Sequence, residues 1–318
     1  MSLDLISSIL AIAVFAGTSL TYATIGEAIT ERSGILNLGV EGMMIMGAVT
    51  GFAAAFHSGS LTMGVLAAMG IGALLALLHA FVTITLRADQ IVSGLAITLA
   101  GTGLASFLGE RLGPDHGALV GLQGPRFREL AIPGLSSLPV VGDALFAQDL
   151  VVYSMYLFIP LVWFYIYRTS PGQQLRAMGE SPATVEAMGI AVLRYRYIYT
   201  MVGGALAGLG GAHLSLAYTP GWSENLTGGR GWIAVALVIF ASWRPARAFV
   251  GALLFGGVNA VQFRLQASGT TISANLLNMA PYILTIVVLV LVSSASSLRS
   301  RLGAPAALGV PYSREERT

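Results

Sequence analysis

Apolar residues fall in long blocks along this chain, separated by short clusters of arginine, glutamate, proline and glycine. The blocks lie at about 5–26, 35–56, 61–86, 91–109, 150–167, 196–217, 230–243, 247–265 and 279–297. A helix crosses a bilayer with roughly 17–25 apolar residues, and most of the blocks reach that length. The seventh is short and predicts a span that starts inside the membrane, after the broken stretch 218–229. The pattern predicts an all-α polytopic membrane protein with about nine (8–10) transmembrane helices, folded as one domain over 1–318.

The polar stretch between the fifth and sixth blocks, RTSPGQQLRAMGESPATVEAMGIAVLRYR at 168–196, divides the chain. Ser170-Pro171-Gly172 breaks the fifth span. Ser181-Pro182 sets a capping residue and a proline where a helix begins, so Ala183 to Met188 is predicted as one short helix ended by Gly189. Its small residues and single carboxylate suit insertion into a groove on a partner, and an ordinary interfacial helix fits them equally well.

Arginine placement orients the spans. With 168–196 inside, the inner loops and the tail 299–318 hold 12 arginines, and the outside holds 5. The N-terminus is then expected outside and the C-terminus in the cytoplasm. Four spans precede the fifth (first half, 1–109) and four follow the central segment (second half, 196–298), with opposite starting sides. Such an inverted repeat recurs in transporters, with the substrate path between the halves. The stretch 110–149, broken by Pro133, Gly134 and Pro139, is expected to be an external loop.

Composition supports the membrane reading and removes several chemistries. Hydrophobic residues make up 55% and charged residues 10%, against about 25% charged in soluble domains. All 17 basic residues are arginine. A P-loop needs Gly-x-x-x-x-Gly-Lys-Ser/Thr, so this chain has none and is not expected to hydrolyse ATP itself. The absence of cysteine excludes disulfides and thiolate metal sites. The first 25 residues lack a basic leader region and read as a retained span. No acidic or histidine spacing suggests a metal, no hydrolase triad is visible, and no nucleic-acid partner is expected.

Candidate transport chemistry sits in two polar interruptions. In EAITERSGILNLGVEGMMIMG (27–47), Glu27, Glu31 and Arg32 read as a solvated cluster at the membrane boundary. Glu41 would lie about 9 Å into a helix starting near Ile35, with Asn37 one turn earlier on the same face. A carboxylate at that depth is costly. It fits either a translocation-path gate or a buried hydrogen bond that pins a helix break. In YTPGWSENLTGGRG (218–231), Trp222 and Asn225 fit an outer gate or a plain interfacial turn. Asn259 and Gln262 on the eighth span are further candidates to line a path.

The run Gly179-Glu180-Ser181-Pro182-Ala183-Thr184-Val185-Glu186-Ala187-Met188-Gly189-Ile190 resembles the cytoplasmic coupling segment of ABC importer permeases of the ribose and branched-chain amino acid type. The blocks TYATIGEAITERSGILNLGVEGMMIMGA (21–48), QIVSGLAITLAGTGL (90–104) and GGRGWIAVALVIFASWRPARAFVGALLFGG (228–257) resemble the nucleoside or simple-sugar subgroup. Sugar permeases of this family typically carry one more N-terminal helix than this sequence offers. The resemblance implies a type II importer permease fold in a bacterial cytoplasmic membrane, importing nucleosides or ribose-like sugars. It also implies four partners: a separate ATPase that uses ATP and magnesium, a second permease in a heterodimer, an extracytoplasmic solute-binding protein and the lipid bilayer. No cofactor is expected on this chain. Gly179 to Thr184, Glu186, Ala187 and Gly189 would receive the ATPase. The competing class is an ATP-independent secondary transporter with Glu41 as its ion site.

Overall fold

The computed structural model describes residues 3–270, 272–294 and 303–313. Its regular structure is helical, apart from one two-residue ribbon, β1 (Leu130–Ala131) paired with β2 (Ala147–Gln148). The helices are α1 (Leu3–Arg32), α2 (Val40–Ser58), α3 (Leu61–Ala80), α4 (Gln90–Gly109), α5 (Val141–Phe146), α6 (Leu150–Arg168), α7 (Ser170–Glu180), α8 (Pro182–Ala187), α9 (Val192–His213), α10 (Arg230–Ala241), α11 (Pro245–Ala267), α12 (Ala274–Asn278) and α13 (Ala280–Ser294). Among the described residues, seven segments are long and apolar enough to cross a membrane, and the apolar helices Arg230–Ala241 and Asn275–Val288 are shorter; 295–297 of the ninth block lie outside the described residues. Together they account for the nine predicted blocks.

Local chemistry sets the boundaries. Asp89 accepts from the Val92 amide at 2.8 Å to start α4, and Asp149 accepts from Val151 and Val152 at 2.6 and 3.0 Å to start α6. Gly59, at φ +69°, ends α2 with its N–H on the Ala55 carbonyl. Two boundaries differ from expectation. The first helix continues to Arg32, because Glu27 and Glu31 find partners inside the bundle (below). The second begins at Val40 and not near Ile35, because Gly34 takes φ +92° and turns the chain out of the helix.

Helices α1, α2 and α9 form the centre, with α3, α4, α6 and α11 more exposed around them. Packing relates the two halves by an approximate two-fold. The first helix of each half lies antiparallel on the third helix of the other. A Cβ on Gly17 of α1 would come 2.8 Å from the Ala252 carbonyl of α11, and one on Gly256 would overlap the Ala13 carbonyl. In the second half, a Cβ on Gly208 of α9 would overlap the Ala68 carbonyl of α3, and one on Gly72 would overlap the Gly204 carbonyl. The two first helices cross at Gly26 and Gly203, each of whose added Cβ would meet the other's carbonyl at 2.7–2.8 Å. In lipid there is little hydrophobic drive between helices, so such small-residue contacts supply the packing. This is the inverted repeat that hydropathy predicted.

Candidate functional site

At the two-fold, the second helices of the halves meet end to end. Helix α10 has 12 residues, about 18 Å of helix against a hydrocarbon core of about 30 Å. It runs toward the α7 end of the bundle, so its N-terminus lies within the membrane, facing the start of α2. Glu41 fills the gap. Its carboxylate accepts from the Thr227 hydroxyl at 2.5 Å, the Gly229 amide at 2.9 Å and the Gly231 amide at 2.6 Å. Gly229 (φ +81°) is the N-cap residue of α10, and Glu41 itself sits in the first turn of α2. One buried carboxylate therefore faces the partial positive charge of two helix N-termini. Gly231 must lack a side chain, since a Cβ would come 2.7 Å from the Glu41 carboxylate.

The non-helical link 34–39 is held within the bundle by side chains of α1, α3 and α4. Leu36 donates to Gln90 Oε1 at 2.7 Å and accepts from His79 Nε2 at 3.0 Å. Asn37 donates its amide to Glu27 Oε1 at 2.9 Å and accepts from the Gly39 amide at 2.9 Å. Leu38 accepts from Thr98 at 2.9 Å. Irregular backbone persists at membrane depth only when its groups are satisfied in this way. Glu27 is therefore a buried acceptor. Glu31 is buried too and accepts from Trp243 Nε1 at 2.6 Å. These two correct the expected solvated cluster. Asn37 precedes α2 and shares no helical face with Glu41.

The second interruption joins this junction. Trp222 is buried on Gly109 and bridges to Val120. Asn225, exposed at φ +55°, closes the turn that delivers Thr227. Asn259 is half-buried on α11, and the buried Gln262 donates to Asn278 at 2.5 Å, tying α11 to α12. The structure thus gathers Asn37, Glu41 and the 222–231 turn, and leaves Asn259 and Gln262 apart.

At the α7 end, the central segment forms two helices where one was expected. Thr169 caps α7 through the Gly172 amide at 3.2 Å, so Ser170-Pro171-Gly172 starts a helix as well as ending one. Leu175, Met178 and Gly179 are buried on one face. Ser181 and Pro182 start α8, with the Ser181 hydroxyl 2.7 Å from that of Thr184. Val185 faces inward with Met178 and Val192. Ala183, Thr184, Ala187 and Met188 form one exposed face of small residues and a methionine, beside exposed Gly189 at φ +84°. Glu180 is exposed as well. Residues 303–313 cross the inner side of this segment. Ala307 donates to the Gly179 carbonyl at 2.8 Å, Gly309 to Gly34 at 3.3 Å, and the Tyr312 hydroxyl to Glu186 at 2.5 Å. Arg196, almost fully buried, holds the Ser33 carbonyl at 2.9 Å and lies 5.7 Å from the Tyr312 ring.

Thr227, Gly229 and Gly231 carry no local signal for their role, since their partner Glu41 is about 190 positions away in sequence. Tyr312 is equally silent. Glu27 and Glu31 do leave a trace. They continue, at steps of four, the buried stripe that includes Ala23.

The chain matches the family described as the branched-chain amino acid transport system permease component over residues 8–293. A protein of Haloferax volcanii assigned to glucose ABC transport as a permease is 39% identical, with 95% of this chain and 96% of the relative aligned. The guanosine ABC transporter permease protein of Bacillus subtilis is 34% identical, with 94% of each chain aligned. The nucleoside ABC transporter permease protein of Lactococcus lactis is 33% identical, with 93% of each aligned. Nine apolar helices in inverted halves, a match across nearly the whole chain and these full-length relatives lead to one conclusion: this chain belongs to the branched-chain amino acid transport system permease family of ABC transporters.

Proposed function

We propose that this chain is the translocation subunit of an ATP-driven importer for nucleosides, purine nucleosides or related ribose-containing solutes. Two of the aligned relatives carry guanosine and nucleoside names. The observation that carries the solute class is the junction itself. In transporters built from inverted repeats, half-helix N-termini at mid-membrane point at anionic substrate groups. Here the amides at the start of α10 are taken by Glu41, which favours an uncharged solute. A simple sugar satisfies the same condition, and the relative named for glucose supports that second reading. ATP-dependent uptake in proteoliposomes, with guanosine, adenosine, ribose, glucose and leucine compared, separates the readings. Preferred uptake of leucine would overturn both.

In this reading, the α7–α8 end is cytoplasmic, with the C-terminus on that side and the N-terminus outside. A separate ATPase pair grips α8 of this chain and the matching helix of a second permease, and a binding protein delivers solute at the opposite face. The exposed face Ala183, Thr184, Ala187 and Met188 fits a groove, and the buried Val185 anchors it. Nucleotide binding then shifts the halves between two states by differential affinity. Gly189→Trp is expected to abolish ATPase co-purification while leaving the membrane body folded, because an added Cβ meets no atom within 4 Å and the backbone strain at φ +84° is confined to the exposed turn after α8. Gly189→Asn, which tolerates positive φ, is expected to retain it. Equal co-purification of both variants, or solute uptake without any ATPase, sinks the assignment.

A further inference from the structure

At the α7 end, α1, α6, α7, the α10–α11 turn and Gly303 line an open polar cleft of about 460 Å³. Three guanidiniums line it, those of Arg32, Arg176 and Arg244, along with Gln173, Tyr167 and Ser242. Glu180 is the single carboxylate in the lining. Among the described residues, the one acid–base pair within 4 Å is Asp149–His213, at the other end of the bundle. None of the three arginines is therefore neutralised by contact. Both Arg176 and Arg244 are near enough to act on the charge of Arg32, and Glu180 opposes them from beyond contact distance.

Their donors are largely uncommitted. Arg32 spends two on protein acceptors, the Trp243 carbonyl at 3.0 Å and the Tyr167 hydroxyl at 3.0 Å. Arg176 stacks 5.3 Å from the Tyr167 ring, and its buried Nε has no partner. A buried donor left unmade is costly, as is holding like charges together. Arg244 is brought to the rim by a tight turn in which Ser242 and Trp243 both adopt left-handed backbone, at φ +51° and +56°. Planar forks of this kind match phosphate oxygens two at a time.

The location narrows the source. Arg32 is the last residue of one span, Tyr167 the penultimate residue of another, and Arg244 immediately precedes a third. The cavity thus lies at the membrane boundary, where lipid phosphates sit. Basic pockets between transmembrane helices at that level receive anionic headgroups. We propose that this cavity is a phosphate-binding site, occupied by the headgroup of an anionic phospholipid, which ties α7 to α1 and to the α10–α11 turn.

The test uses the purified permease in nanodiscs of phosphatidylcholine with or without phosphatidylglycerol, with bound lipid read by native mass spectrometry. Wild type is expected to retain phosphatidylglycerol. The double variant Arg176→Gln/Arg244→Gln is expected to lose on the order of tenfold or more of that retention, and Arg194→Gln, exposed and outside the lining, to keep it. Arg244→Gln alone serves as the second variant, because Arg244 is exposed and its side chain makes no hydrogen bond among the described residues. A parallel titration of inorganic phosphate into pure phosphatidylcholine discs, read as thermal protection, distinguishes the sources. Protection that depends on Arg176 and Arg244, without phosphatidylglycerol retention, keeps the phosphate site and assigns it to a soluble ligand. Equal retention and equal protection in wild type and both variants overturn the proposal. The readout is binding and not transport, so the result stands whatever solute is carried.

Discussion

Glu41 carries the largest single consequence at the scale of the residue. Its removal leaves two amides and a hydroxyl without acceptors in a buried junction. Each unmade group costs about 1–3 kcal/mol, so Glu41→Ala is expected to lower stability by about 3 kcal/mol or more. Glu41→Gln retains one acceptor oxygen and should fall between. Thermal unfolding in detergent measures both. Glu27→Ala strips the acceptor from the Asn37 amide and is expected to destabilise by about 1–3 kcal/mol, where a solvated glutamate would give almost nothing. The depth of Glu41 is legible in the sequence, because a carboxylate among Gly and Met in an apolar block stands out. Its partner is not, since a turn of Thr and Gly residues looks like any other until the fold brings it across the two-fold.

For the elements, glycine decides which helices touch. Gly208 faces the Ala68 backbone, whereas an added Cβ on Gly103 of α4 meets nothing within 4 Å. Gly208→Val is expected to lower expression and melting temperature, by overpacking worth about 1–3 kcal/mol, and Gly103→Val to leave both unchanged. A size-exclusion thermal assay of the pair checks the contrast. The nine apolar blocks are readable because lipid demands long apolar runs. Helix α7 is not, because Ser170-Pro171-Gly172 carries the residues of a chain break as well as those of a helix start. Only the burial of Leu175, Met178 and Gly179 on one face settles which reading applies.

Across the whole molecule, the distal segment 303–313 links what the spans keep apart. It bonds to Gly34 after the first span, to Gly179 on α7 and to Glu186 on α8. Tyr312→Phe is expected to weaken ATPase co-purification modestly, and removal of residues from 303 onward to abolish it while the membrane body still purifies as a folded monodisperse species. Unchanged co-purification after that deletion would separate the tail from the docking surface. The arrangement also has a consequence in time. Residues 303–313 are made after α13, whereas α7 and α8 are encoded halfway along the chain, so the contacts to Gly179 and Glu186 are among the last that the polypeptide can make. A chain stopped before residue 303 would carry α1 to α13 without them.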